Sequence, residues 1–148
     1  MNTATRIQDD QAQLRELLDS WAKAVLAQDI ERIVSHYAPN ILAFDAIAPL
    51  QFKGRELYKA HWQACMSMCP GPGVFEIHEP VLEASGDLGF GYYLCRCGGT
   101  DANGQAQSSW MRVTQGYRKH NGQWLIVHEH FSAPFDMQSG KALFDLQP

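Results

Sequence analysis

Asp45, Arg112, His128 and His130 are the side chains whose types and placement could do chemistry in this chain. Asp45 sits between Phe44 and an apolar loop, where a partly buried carboxylate can act as general base or acid toward a bound molecule. The competing reading makes it a structural carboxylate paired with Arg112 or a histidine. His128 and His130 project from one side of a strand, about 7 Å apart by strand rise. That spacing fits a proton-transfer pair, hydrogen-bonding groups for a polar ligand, or two ligands of a metal whose third donor would be Asp45 or His61. An Arg112 turned into a pocket requires a carboxylate, supplied internally by Asp45 or by an anionic ligand. Arg96 is a second cationic candidate on the neighbouring strand. Trp21, Tyr37, Phe44, Trp62 and Trp110 suffice to line an aromatic pocket, although each alone also suits plain core. Glu129 is expected to point away from the site, and His36, His78 and His120 sit at element ends without a role.

The elements that must position these groups follow from hydrophobic periodicity. Leu14, Leu17, Leu18, Trp21, Val25 and Leu26 recur at helical spacing, which predicts a helix over 8–28. Asp29 is placed to cap a short second helix that Pro39 ends. Residues 41–45 read as a strand, 46–52 as a loop, and 55–68 as a third helix stopped by Cys69-Pro70-Gly71-Pro72-Gly73. Four strands then alternate with turns, over 74–84, 88–97, 107–120 and 123–131, the last two joined at Asn121-Gly122. Three N-terminal helices followed by a long curved antiparallel sheet make an α+β domain, expected to run over 1–148 as one unit.

Strand alternation sorts the residues by face. On the last strand Trp124, Ile126, His128 and His130 share one side, assigned to the pocket, and Leu125, Val127, Glu129 and Phe131 the other. On the preceding strand Arg112 falls with Trp110, and Met111 with Val113. A second face carrying Met111, Val113, Leu125, Val127 and Phe131 would expose a large apolar patch, so a homodimer through the outer sheet face is expected.

The bulk numbers exclude several classes. A net charge of -4 with no Lys/Arg run leaves no electrostatic footprint for nucleic acid or an anionic membrane. The first residues lack an apolar segment of the secretory kind and no stretch is long enough to span a bilayer, so a cytoplasmic location is expected. The four cysteines form two close pairs, Cys65/Cys69 and Cys95/Cys97. Their spacing departs from zinc-ribbon spacing and reads as buried thiols, with a four-thiolate metal site as the alternative.

Three stretches carry a family resemblance: Trp21-Ala-Lys-Ala-Val-Leu-Ala-Gln-Asp29, Tyr37-Ala-Pro-Asn-Ile-Leu-Ala-Phe-Asp45, and the closing Asn121-Gly-Gln-Trp124-Leu-Ile-Val-His128-Glu-His130-Phe-Ser132-Ala-Pro134. In element order and in these stretches the chain resembles the cone-shaped fold shared by nuclear transport factor 2, ketosteroid isomerase, scytalone dehydratase and the SnoaL-like polyketide cyclases. The resemblance implies that Asp45 falls where the isomerases keep their general base. It places Trp21 where they have an oxyanion-stabilising tyrosine. The segment Arg112-Val-Thr114-Gln115-Gly116 has no counterpart of their second donor, an aspartate, so steroid isomerisation is not expected. The expected activity is proton transfer of isomerase, dehydratase or cyclase type on a carbonyl- or carboxylate-bearing small molecule, with no organic cofactor. The alternatives are a non-catalytic ligand-binding or dimerisation module and a metal-dependent enzyme using His128 and His130.

Overall fold

The structure, a computed structural model, describes residues 2–148. Helix α1 spans Thr3–Leu26 and starts earlier than its apolar stripe, because Asn2 caps it by accepting from the Thr5 amide at 2.8 Å. Helix α2 is Ile30–Val34, capped by Asp29, which accepts from the Arg32 amide. Strand β1 follows at Tyr37–Phe44, then β2 at Phe52–Lys53 and helix α3 at Arg55–Met68. Strands β3 (Val74–Ser85), β4 (Leu88–Thr100), β5 (Ala106–His120) and β6 (Gln123–Ser132) complete the order. Among the described residues no helix is long and apolar enough to cross a membrane.

Pro39 does not stop the second helix as its type suggested; it lies inside β1, exposed, where the ladder to β6 shifts register between Tyr37 and Leu42. A residue without an amide hydrogen fits such an irregularity. The six strands form one sheet in the order β2-β1-β6-β5-β4-β3. All neighbours pair antiparallel except β1 and β6, which run parallel, so the chain closes the sheet by bringing its first strand beside its last. Asn121 and Gly122 both take positive φ, as a two-residue hairpin turn requires.

Two further register shifts bend the sheet around the helices, between His78 and Val81 on β3 and between Gly116 and Tyr117 on β5. The second shift matters most. His128 faces Gly116 but Ile126 faces Tyr117, so Val127 is an extra residue on β6. It reverses the alternation there: Trp124 and Ile126 point inward before it, Glu129 and Phe131 after it. Leu14, Leu18 and Trp21 of α1 and Tyr58 of α3 fill the space under the sheet against Tyr37, Ile41, Val113, Tyr117 and Ile126.

Candidate functional site

The interior of the cone is organised around one carboxyl group, Glu129, which is fully buried. Its Oε2 accepts from the hydroxyls of Tyr58 at 2.7 Å and Tyr37 at 2.8 Å, and its Oε1 from Gln115 Nε2 at 2.5 Å. Each partner is itself held. Tyr37 Oη accepts from the indole N–H of Trp21 at 3.0 Å and of Trp62 at 3.1 Å. The Tyr117 hydroxyl donates to Gln115 Oε1 at 2.8 Å, which orients the amide so that its nitrogen faces Glu129. Gly91 leaves room for this: a Cβ there would lie 3.0 Å from Tyr117 Oη. Burial pushes the Glu129 carboxyl up to about 7, with the charge of Asp45 adding to it and the three hydrogen bonds pulling it back.

Asp45 lies at the end of this network nearest solvent, just past β1. Its Oδ2 is 3.2 Å from the Tyr58 hydroxyl, and its Oδ1 accepts from the Ile47 amide at 3.0 Å. His61 Nε2 stands 3.4 Å from the same Oδ1; the His61 side chain is 10% exposed and that of Asp45 15%. Phe52 packs on the imidazole with centroids 4.3 Å apart, and the Cys65 thiol lies 3.6 Å from Nε2. Trp62, Met66, Phe75 and Cys97, all half-buried, pack against the core at its margin. Asp45, His61, Tyr58 and Glu129 are thus a graded series, from partly open to sealed.

Among the described residues two buried polar atoms have no hydrogen-bond partner, Tyr93 Oη and Trp124 Nε1. An unpaired buried hydroxyl costs about 1–3 kcal/mol. The Tyr93 phenol lies under the influence of Glu129, Tyr117, Cys95 and Tyr37, which places it beside the Glu129 network, and burial pushes its ionisation well up.

Of the residues singled out from the sequence, Asp45, Trp21, Tyr37 and Trp62 come together here. Arg112, His128 and His130 do share a face with one another, but it is the outer face of the sheet. His128 Nδ1 donates to the Leu42 carbonyl at 2.6 Å, and the Phe44 ring sits edge-on to both imidazoles, at 4.9 and 5.6 Å. Arg112 is exposed and donates to Ser132 Oγ at 3.1 Å rather than to Asp45. Arg96 forms a two-pronged pair with Glu76 at 2.8 and 3.1 Å, and Trp110 packs on His78 at 5.6 Å, both away from the interior. The reason is the bulge at Val127: alternation counted from Trp124 and Ile126 without it carries His128 and His130 inward and Glu129 outward. Phe131, expected on the outer face, is core for the same reason. Met111 and Val113, expected there too, are core because the unbroken alternation of β5 puts them on one face with the buried Gln115 and Tyr117, and Arg112 on the other.

Among the described residues no three His, Cys, Asp or Glu side chains converge as a metal site would need. The metal alternative therefore lacks its third ligand, since Asp45 and His61 lie on the far side of the sheet from His128 and His130. The four cysteines are free thiols. Two concavities lie outside the cone. One of about 250 Å³ is lined by His78, Tyr92, Leu94 and Arg112, the other of about 420 Å³ by Leu17, Ser20, His36 and Trp124.

Comparison with known families matches residues 14–136 to the model of the SnoaL-like domain. The chain belongs to the SnoaL-like family. No curated protein matches it. Among solved structures, this SnoaL-like chain is similar to a nuclear transport factor 2-like protein of unknown function from Pseudomonas putida. The two are 48% identical with a TM-score of 0.89, over 95% of this chain and 98% of that one. A ketosteroid isomerase-like protein from Erwinia carotovora shares the fold at 18% identity and a TM-score of 0.72, over 83% of this chain and 95% of that one. The association domain of Caenorhabditis elegans CaMKII does so at 16% and 0.66, over 86% and 98%. The cone fold read from the sequence is therefore the observed one.

Within this family fold, four members of the interior network were not legible as site residues: Glu129, Tyr58, Gln115 and Tyr117. One signal was available. Gly116 in the middle of a long strand marks a site of irregular pairing, and a bulge placed opposite it brings Glu129 inside.

Proposed function

We propose that the chain binds a small, partly apolar molecule bearing a carbonyl group, and that Asp45 moves a proton on it with His61 as partner. One observation carries this reading. The Asp45 carboxylate is fixed by the Ile47 amide and the Tyr58 hydroxyl, faces His61 at 3.4 Å, and still keeps partial exposure. A base that is oriented, paired with a second titratable group and reachable is what general acid–base catalysis needs. The half-buried margin of Trp62, Met66, Phe75 and Cys97 is where the ligand's apolar part would seat. A neutral carbonyl is favoured over a carboxylate. Arg112 and Arg96 face the other side of the sheet, and Asp45 with Glu129 would repel an anion. Isomerisation, dehydration and aldol-type cyclisation all begin with proton abstraction beside a carbonyl, and the scheme draws on no organic cofactor.

The test is solvent deuterium uptake at the carbon beside the carbonyl in a panel of aryl and cyclic ketones, followed by NMR. Wild-type protein should accelerate uptake by at least one ketone, and Asp45→Asn should slow it by about 10²–10⁴-fold. Equal rates with Asp45→Asn would remove Asp45 as the base.

A second reading concerns assembly. The outer sheet face presents Leu88, Phe90 and Tyr92 at 52, 45 and 47% exposure, with the last two rings stacked at 6.1 Å. Together with Phe44, His128 and His130 they form an apolar face of the kind that pairs with a second copy. An association domain shares this fold, which supports self-assembly; the choice of this face for a homodimer rests on its exposed apolar side chains. The proposed unit is a single domain over residues 1–148, working in the cytoplasm, where thiols such as its four cysteines stay reduced.

A further inference from the structure

Tyr58 touches two carboxyl groups but has one hydroxyl hydrogen. Its oxygen is 2.7 Å from Glu129 Oε2 and 3.2 Å from Asp45 Oδ2. With both carboxyls ionised, the shorter contact takes the hydrogen, and the Tyr58 and Asp45 oxygens are left facing each other with none between them. One additional proton on Asp45 Oδ2 fills that gap. Asp45 then donates to Tyr58, and Tyr58 donates to Glu129.

We propose that Asp45, Tyr58 and Glu129 form a proton relay, in which Glu129 holds the proton that Asp45 takes from a ligand and returns it by the same route. The proposal rests on the reading of Asp45 as the base. The step balances without any co-reactant. The O–H bond at Asp45 breaks as its hydrogen bonds to Tyr58 Oη, and the Tyr58 O–H breaks as its hydrogen bonds to Glu129 Oε2. The net change is one proton from Asp45 to Glu129, and one negative charge the other way. Tyr58 is neutral before and after. That matters because burial and the surrounding acids push its own ionisation well up, so a free tyrosinate is not an accessible stop.

Among the described residues, the surroundings of Glu129 leave the relay one exit. From β1, Tyr37 donates to Glu129, but its oxygen already accepts from the indoles of Trp21 and Trp62, which do not release protons at ordinary pH. From β5, Gln115 is an amide, with Tyr117 behind it. From β4, Tyr93 and Cys95 are neutral acids whose ionisation burial and neighbouring groups push upward. The one path that ends on a partly exposed titratable group runs through Tyr58 to Asp45 and on to His61. Glu129 is a positioning residue in this scheme, since it acts through Tyr58. Burial sets its affinity for the proton near neutrality, where a store must both fill and empty.

The test needs no substrate. Protein labelled with ¹³C at the aspartate and glutamate carboxyls is titrated from acid to mildly alkaline pH, and the Asp45 and Glu129 resonances are followed. Because groups sharing a proton titrate in common steps, both signals should show the same two midpoints. Asp45→Asn should lower the Glu129 midpoint by about one pH unit, and Tyr58→Phe should shrink that response to the part carried through space by the Asp45 charge. An equal shift with and without Tyr58→Phe means the two carboxyls sense each other only through space, and overturns the relay. Should Tyr58→Phe fail to fold, the wild type decides: separate midpoints for the two carboxyls overturn it. The deuterium-uptake assay judges the base reading independently. Shared midpoints with unchanged uptake in Asp45→Asn remove the base and leave the shared proton standing; separate midpoints with abolished uptake do the reverse.

Discussion

Glu129 and Gln115 stand directly opposite each other across β6 and β5, and the Gln115 amide nitrogen donates to Glu129 Oε1 at 2.5 Å on the inner face of the sheet. A carboxyl in such a place is costly when charged, and three donors offset part of that cost. The balance sets a pH dependence of stability. Burial raises the folded carboxyl from the ordinary 4.5 to about 7. The folded state therefore binds the proton more tightly than the unfolded chain. Its contribution to stability is fully present below about pH 4.5 and is lost as pH rises through about 7. The span corresponds to on the order of 3 kcal/mol. Urea unfolding from pH 5 to 8.5 should show this fall in the wild type. Glu129→Gln, which cannot titrate, should flatten it; an unchanged slope would mean that another group is responsible.

Tyr93 makes the opposite prediction for a polar deletion. Its hydroxyl is buried with no partner, so Tyr93→Phe removes a desolvated group and breaks no hydrogen bond. Stability should stay the same or rise by up to about 1 kcal/mol. Tyr37→Phe removes a hydroxyl that joins Glu129 to two indoles, and should cost about 1–3 kcal/mol. Thermal unfolding of the two variants side by side measures the contrast. A loss for Tyr93→Phe as large as that for Tyr37→Phe would show that the Tyr93 hydroxyl has a partner in solution.

The fold was readable because its signals are repetitive: helical spacing in α1, turn residues at Asn121-Gly122, and alternation along β5. Asp45 was singled out because a family resemblance put it at the end of the first strand, and it does lie just past β1. Glu129 was not, since one extra residue at Val127 inverts every assignment beyond it, and an insertion of one leaves no trace in composition. Histidines drew attention as chemical residues, while a glutamate among Val, His and Phe looked like solvent exposure. Tyr58 likewise reads as helix core until the strand phase is known, for only then does its hydroxyl have two carboxyls to meet. Pro39 misled in a smaller way, because a proline stops a helix far more often than it rides a strand irregularity.

Arg112, His128 and His130 now belong to surface behaviour rather than to the interior. His130→Ala and Arg112→Ala should each change stability by less than about 0.5 kcal/mol. Deuterium uptake per site should be unchanged at protein concentrations that keep the assembly state constant. A large loss of uptake in either variant would return these residues to the catalytic group.

The outer face offers the sharpest test of assembly. Phe90 and Tyr92 stack on each other in the open, beside Leu88, on a face that no other described element covers. Burying such surface in a second copy contributes roughly 25 cal/mol per Å² of apolar area, whereas a charge placed there would be desolvated without a partner. Phe90→Glu should therefore shift sedimentation from dimer to monomer while leaving the Glu129 titration in place, because Phe90 and Glu129 project from opposite faces. Wild-type protein that sediments as a monomer at tens of micromolar would refute the dimer directly. A dimer that survives Phe90→Glu would move the contact to another surface, with the exposed Phe135, Met137 and Phe144 as the next apolar group to probe.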